Sequence, residues 1–311
     1  FEHTKPPLAS YLLGVLLLFP SREILFVVWH GINLLLPVAW LVSVRGRLDL
    51  PVAAAMFFGF NFWFTETTLG QYNLVLGVVV WFAFHRERAW VSGALFSFVL
   101  LLKPSFFVFL PWLLYRRTAR DRVLFLVGAG GVPAVLGLIY VLDRGAQVFV
   151  SDHLAWLSFL GFSEAKHIER IDNLAIPSLL LRSFGLHLHA GAWLLAGTAF
   201  NAIGLHRLRG RSPVVTYSLC ALGFLAFSPM TWRQNFIVLL PFLAWTAGEL
   251  EQRWRDHKLA LLFLATPFCI TPVGIPEPLS RWVFASALPL WGMIALFATM
   301  LRIVRSADNS R

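Results

Sequence analysis

From residue 24 to residue 44 the chain runs 21 positions without Asp, Glu, Lys or Arg, and the run closes at Arg45-Gly46-Arg47. The same pattern, an apolar run followed by a joint that usually carries arginine, fills most of the remaining sequence. A helix needs about 20 mostly apolar residues to cross the hydrocarbon of a bilayer. Inside that layer every backbone N–H and C=O must find its partner within the protein. The pattern therefore predicts an all-α integral membrane protein, a polytopic helical bundle. Composition agrees: 58% of the 311 residues are hydrophobic and 14% are charged, against about 45–50% and about 25% in soluble domains.

Eleven transmembrane helices are expected, over 24–44, 51–64, 74–84, 90–102, 105–115, 123–142, 189–205, 214–227, 236–248, 259–273 and 282–301. Several are short, so tilt or local thinning of the bilayer would help them span. The apolar run 8–19 has twelve residues and is expected to lie at the interface as a juxtamembrane helix. The whole chain, 1–311, reads as a single transmembrane domain. Within it, 1–22 holds an outer loop end and the juxtamembrane helix, and 23–142 a first helix module. Residues 143–185 form an outer loop with an amphipathic middle at 153–162, and 186–311 the C-terminal helices.

Counting cations on alternate joints gives 17 on one side of the membrane and 9 on the other. The richer side is cytoplasmic by the positive-inside rule. The net charge of +10 is thus a topology signal; it forms no basic face with stacking aromatics of the kind that binds nucleic acid. Trp29, Trp40, Trp81, Trp90, Trp112, Trp232 and Trp282 lie near segment ends, as in an interfacial belt. Cys220 and Cys269 both fall in apolar runs and suggest neither a disulfide framework nor a metal site. The glycines of Gly128-Ala129-Gly130-Gly131, inside a span, read as a close-packing helix surface.

On the side poorer in cations, four separated segments carry unusual polar residues. Thr65 to Asn73 is read as a polar loop without a cation, holding Glu66, Gln71 and Asn73. An acid at mid-bilayer costs about 2.5–3.5 kcal/mol even on the lenient insertion scale, so Glu66 is either functional or a solvated loop acid. Lys103 precedes Pro104 at the end of an apolar run, where its ammonium either holds a lipid phosphate or snorkels to head groups. Arg170-Ile171-Asp172-Asn173 with Arg182 reads as loop followed by a short amphipathic helix. Ser228-Pro229-Met230-Thr231-Trp232-Arg233-Gln234-Asn235 places a guanidinium, an indole and two amides before an apolar run. A Ser or Thr helix cap would explain part of that segment, but not Arg233.

In this order, Gly70-Gln71-Tyr72-Asn73, Lys103-Pro104, Asn173 before Leu179-Leu180-Leu181-Arg182, Ser228-Pro229-Met230-Thr231-Trp232 and Leu239-Leu240-Pro241 resemble the motif set of glycosyltransferase family 87. That family belongs to the GT-C class and includes the polyprenyl-phosphate-mannose-dependent alpha-mannosyltransferases. Phe1 with Lys5-Pro6-Pro7-Leu8 is similar to the family's aromatic and Pro-Pro-Leu segment before the juxtamembrane helix.

The resemblance implies a hexosyltransferase of the plasma (inner) membrane with its active site on the periplasmic or extracellular face. It implies inverting transfer of a sugar, mannose if the likeness to those mannosyltransferases holds, from a polyprenyl-phosphate donor to a lipid or glycan acceptor. Lys103 and Arg233 would hold the donor phosphate; Gln71, Asn73, Asn173, Arg182, Trp232 and Gln234 would bind substrate. The resemblance places the catalytic carboxylate upstream of Phe1, with Glu66 a weaker candidate within the chain. Three departures stand out: Gln234-Asn235 replaces a His pair, Thr231 replaces Ser, and Leu174-Ala175 replaces Gln-Ser. No cofactor is indicated, since neither an Asp-x-Asp nor a spaced His cluster occurs; a divalent cation stays open. Two other readings remain at this point: a polytopic transporter, and a catalytically inactive lipid-binding membrane protein.

Overall fold

The computed structural model describes residues 7–9, 21–68, 72–168, 170, 172–252, 263 and 277–308. Among them every regular element is a helix: α1 (Arg22–Arg45), α2 (Leu50–Thr68), α3 (Asn73–His85), α4 (Ala89–Leu102), a 3-10 segment (Pro104–Phe109) continued by α5 (Leu110–Leu114), α6 (Ala119–Arg144), α7 (Ala146–Ile168), α8 (Ile176–Phe184), α9 (Ala190–Arg207), α10 (Pro213–Phe227), a second 3-10 segment (Arg233–Leu239) continued by α11 (Leu240–Gln252), α12 (Glu277–Ala285) and α13 (Leu288–Asp308).

Local chemistry sets many of these boundaries. The Ser21 side chain caps α1 by accepting from the Ile24 N–H at 3.2 Å, and Gly46 ends it at φ 78°, a left-handed turn that favours glycine. Pro37 lies inside α1 and removes the N–H that would bond the Asn33 carbonyl. The indole of Trp63 on α2 supplies the missing donor at 2.6 Å. Pro111 does the same to the segment after Lys103. There the Val108 carbonyl accepts from Asn201 of α9 at 2.8 Å.

The expectations meet the structure unevenly. Two helices, Glu23–Arg45 and Ala119–Arg144, are long and apolar enough to cross a membrane, and the pair Glu277–Ala285 with Leu288–Ile303 makes a third if its 58° bend is one broken span. Other apolar helices have 10–17 residues, including Asn73–His85, Ala89–Leu102 and Pro213–Phe227. The described helices thus do not show eleven spans. The expected span 259–273 and most of the juxtamembrane run 8–19 lie outside the described residues.

Residues 105–115 and 236–248 are not single α-helices, because Pro104, Pro111 and Pro241 break them into 3-10 and α pieces. Residues 282–301 are also divided: Ala287 adopts φ 51° just ahead of Pro289. In 143–185 helix extends well past the amphipathic middle, as α7 covers Ala146–Ile168. Thr65 to Thr68 belong to α2 and are not loop. Continuing the helix keeps their backbone groups bonded, which an apolar setting demands.

The expected Trp belt divides. Trp90 and Trp282 are exposed, but Trp40, Trp81 and Trp112 are buried. All three pack around Tyr217 of α10, with Trp40 edge-on to it at 5.9 Å and Trp81 at 5.4 Å. Phe84 stacks on Trp112 at 3.9 Å, whose indole donates to Thr216 at 2.9 Å. Large aromatic surfaces here form core instead of rim.

Helices α4 and α6 cross in close backbone contact. A Cβ added at Gly93 would stand 1.9 Å from the Phe125 carbonyl oxygen, and one at Gly128 1.9 Å from that of Trp90. Gly128 therefore has the close-packing role expected, whereas Gly130 and Gly131 face open space. At the α1–α2 joint Asp49 receives Arg45 at 2.9 Å, Arg47 at 3.1 Å and the Val52 N–H at 3.1 Å. Burial pushes the Asp49 pKa up, but these hydrogen bonds outweigh it and hold the carboxyl below its ordinary value.

Gly93→Val and Gly128→Val should each cost at least about 3 kcal/mol, read as a lower thermal midpoint in detergent, while Gly130→Ala stays near wild type. Because the native Asp49 pKa lies below the unfolded one, its stabilisation is present above the unfolded value of about 3.9 and is lost as pH falls through the native value. Asp49→Asn should therefore flatten the acid limb of a stability-versus-pH curve.

Candidate functional site

The site grows out of the end of α4. A residue before proline is steered away from the α region, and Lys103, preceding Pro104, is extended at φ −148°, ψ 91°. Its side chain thereby leaves the helical path and reaches the first turn of α3. There Lys103 Nζ donates to Asn73 Oδ1 at 2.5 Å and, from the opposite side of the chain, to Asn235 Oδ1 at 3.4 Å. The Phe224 ring centroid lies 5.5 Å from the ammonium. Tyr72 donates its hydroxyl to the Leu102 carbonyl at 3.3 Å, tying the end of α4 to the start of α3. Asn73 and Asn235 are 2% and 3% exposed, so both amides are fixed. Their oxygens are neutral: they orient the ammonium without adding negative charge.

Asn235 is anchored in turn, donating Nδ2 to the Met230 carbonyl at 3.1 Å. That carbonyl belongs to the loop between α10 and the second 3-10 segment, and a second asparagine holds the same loop. Asn173 is fully buried. Its Nδ2 donates to the Pro229 carbonyl at 2.8 Å, while its Oδ1 accepts the N–H groups of Thr231 at 3.0 Å and Ala175 at 3.2 Å. The Leu174 N–H also donates to the Thr231 carbonyl at 2.7 Å. This is the geometry of a bracket between two loops.

Arg182 performs the same task one layer out. Its Nη1 donates to the carbonyls of Arg170 at 2.6 Å and Asn173 at 3.1 Å and to the Ser178 hydroxyl at 2.5 Å; its Nη2 reaches the Ala285 carbonyl at 3.2 Å. Burial lowers the Arg182 pKa, with Asp172 acting against it. Arg170 pairs with Asp172 at 2.8 Å and stands 5.7 Å from the Trp232 ring; the Asp172 hydrogen bond raises its pKa.

The four polar segments thus form one connected set: Asn73 to Lys103, Lys103 to Asn235, Asn235 to the 228–231 loop, and that loop through Asn173 to Arg182. Gln234, 4% exposed, sits beside Asn235. Arg182 does not join Lys103 directly. The helix start at Arg233 has no side-chain cap, since Ser228 instead follows α10 and donates to the Met230 carbonyl at 3.1 Å. Gln71 and the side chains of Glu66 and Arg233 lie outside the described residues. Asn235 was legible only as part of a polar segment. Which of two adjacent amides meets the lysine depends on the 3-10 geometry, which no side-chain pattern announces. Among the described residues no group of three or more His, Cys, Asp or Glu stands ready to hold a metal ion.

A family model for glycosyltransferase family 87 matches residues 3–229. The chain belongs to glycosyltransferase family 87. Among curated proteins and among solved structures, none matches it. The region that makes the chain a family 87 glycosyltransferase contains Asn73, Lys103, Asn173 and Arg182, while Trp232, Gln234 and Asn235 follow just beyond it. With its long apolar helices, this family 87 member is a membrane protein.

Removing the Asn173 bracket leaves buried N–H groups of Thr231 and Ala175 without an acceptor, at about 1–3 kcal/mol each. Asn173→Ala should lower the thermal midpoint strongly, whereas Asn73→Ala, at the edge of the bracketed loops, should lower it less.

Proposed function

We propose that this glycosyltransferase moves a sugar, mannose in the reading favoured by its motifs, from a polyprenyl-phosphate donor to a lipid or glycan acceptor, inverting the anomeric carbon. In that reaction an acceptor hydroxyl oxygen bonds to the anomeric carbon as the sugar–phosphate C–O bond breaks. The electron pair leaves with the polyprenyl phosphate, and the hydroxyl proton passes to a carboxylate base. Glu66, in the last turns of α2, is the candidate base within the chain.

The observation that carries this reading is the Lys103 ammonium, fixed in place by hydrogen bonds that include those to the amide oxygens of Asn73 and Asn235. A fixed cation is what a departing phosphate needs, because preorganised charge costs no reorganisation when negative charge develops. Arg233, two residues before Asn235, is the second group we assign to binding the donor phosphate. Asn73, Gln71, Gln234 and Trp232 are left for sugar and acceptor contacts. Asn173 and Arg182, which both bond loop carbonyls, are assigned as positioning residues. An apolar cavity of about 300 Å³, lined by Leu100, Leu101, Pro104, Pro133, His153 and Trp156 among others, adjoins Pro104 and suits a polyprenyl chain leading away from Lys103. The cation asymmetry supports Lys103 on the face away from the cytoplasm, and the plasma membrane is the location that the resemblance implies.

Membranes carrying the full chain should transfer labelled sugar from polyprenyl-phosphate mannose, and Lys103→Ala should reduce the rate by about 10²–10³-fold in protein that its thermal midpoint shows to be folded at the assay temperature. Undiminished transfer by the variant removes Lys103 from the site. Uptake of sugar into sealed vesicles without transfer would point to a transporter.

A further inference from the structure

At the end of α3 and α4 away from Lys103, three arginine-bearing joints come into contact. Arg117 Nη2 donates to the carbonyls of Ala83 at 3.4 Å and Arg86 at 3.5 Å, and Arg116 Nη2 to that of Arg211 at 3.2 Å. Joints far apart in sequence, 85–89, 115–122 and 207–213, thereby share one surface. Together they hold nine arginines and two acids, Glu87 and Asp121. Asp121 accepts the Thr118 hydroxyl at 2.8 Å.

Six of those arginines, Arg86, Arg88, Arg120, Arg122, Arg207 and Arg209, are exposed. None of the six forms an ion pair among the described residues. A topology signal requires only that cations lie on one side of the membrane. It does not require the fold to staple three such joints together, where like charges repel.

The neighbours of these arginines say what relieves the repulsion. Phe82 is 40% exposed, Trp90 51%, Val123 60% and Ile203 59%, each four residues or fewer from one of the six. The charges therefore rim an apolar surface. With that surface in lipid, the guanidinium groups stand at the level of the head groups. Arginine's planar fork matches phosphate oxygens in pairs.

We propose that this surface binds the head-group phosphates of anionic phospholipids, gathering a shell of them around the end of the bundle opposite Lys103. The surface and its ligand are independent of the transfer reaction.

The test uses full-length protein in nanodiscs of phosphatidylcholine with and without phosphatidylglycerol, reading the thermal midpoint and, after transfer to detergent, the retained lipid by mass spectrometry. Wild type should gain stability with phosphatidylglycerol and retain it preferentially, with the gain shrinking at high salt as charges are screened. Arg207→Gln with Arg209→Gln, and separately Arg120→Gln with Arg122→Gln, should weaken retention about fivefold per arginine removed. Because the two pairs lie on different joints, misfolding of one double variant leaves the other as the test. Equal retention of both lipids by wild type, or wild-type preference in both double variants, overturns the proposal. So does an equal stability gain from inorganic phosphate alone, which would make the surface a site for soluble phosphate.

Discussion

Backbone carbonyls freed by helix breaks govern this fold. In an apolar setting an unbonded peptide group costs several kcal/mol, so each break must be answered by a donor from elsewhere. Trp63 answers the Asn33 carbonyl, Asn201 that of Val108, Asn173 that of Pro229, Asn235 that of Met230, and Arg182 those of Arg170, Asn173 and Ala285. These side chains are what permits non-helical backbone near the site. They also fix its geometry, because a loop whose carbonyls are bonded to buried amides on other helices has little freedom to shift.

The candidate site is built on the same rule with one addition. Lys103 gives its ammonium to side chains instead of backbone, with the amide oxygens of Asn73 and Asn235 among its acceptors. Asn235 thus serves both kinds of contact, giving its amide hydrogens to a loop carbonyl and its oxygen to the ammonium. The proline that ends α4 is part of the device, since it sets the extended backbone from which Lys103 reaches across.

Much of this was legible in the sequence, and the reasons are specific. Long charge-free runs read as helices because nothing competes with the helical hydrogen-bond ladder, and α1 and α6 follow. Lys103-Pro104 and the 228–235 segment stood out because polar residues inside apolar stretches are costly. What could not be read were the tertiary answers. Trp40 and Trp112 look interfacial by position, yet three-dimensional neighbours around Tyr217 bury them. Asn173 reads as a substrate contact, and nothing in its spacing announces the hydrogen bonds it makes to backbone 56 and 58 residues away. Helix 146–168 was underestimated because its polar residues obscure the periodicity that its partner α6 satisfies.

The brevity of α3 and α4 sets a depth. They have 13 and 14 residues, about 20 Å at 1.5 Å per residue, and they connect the arginine joint at 85–89 to the level of Lys103. The hydrocarbon of a bilayer is about 30 Å thick. With those arginines at one water boundary, Lys103 lies about 10 Å short of the other. Anything that meets the ammonium from that side must be drawn about 10 Å inward, or the bilayer must thin towards it.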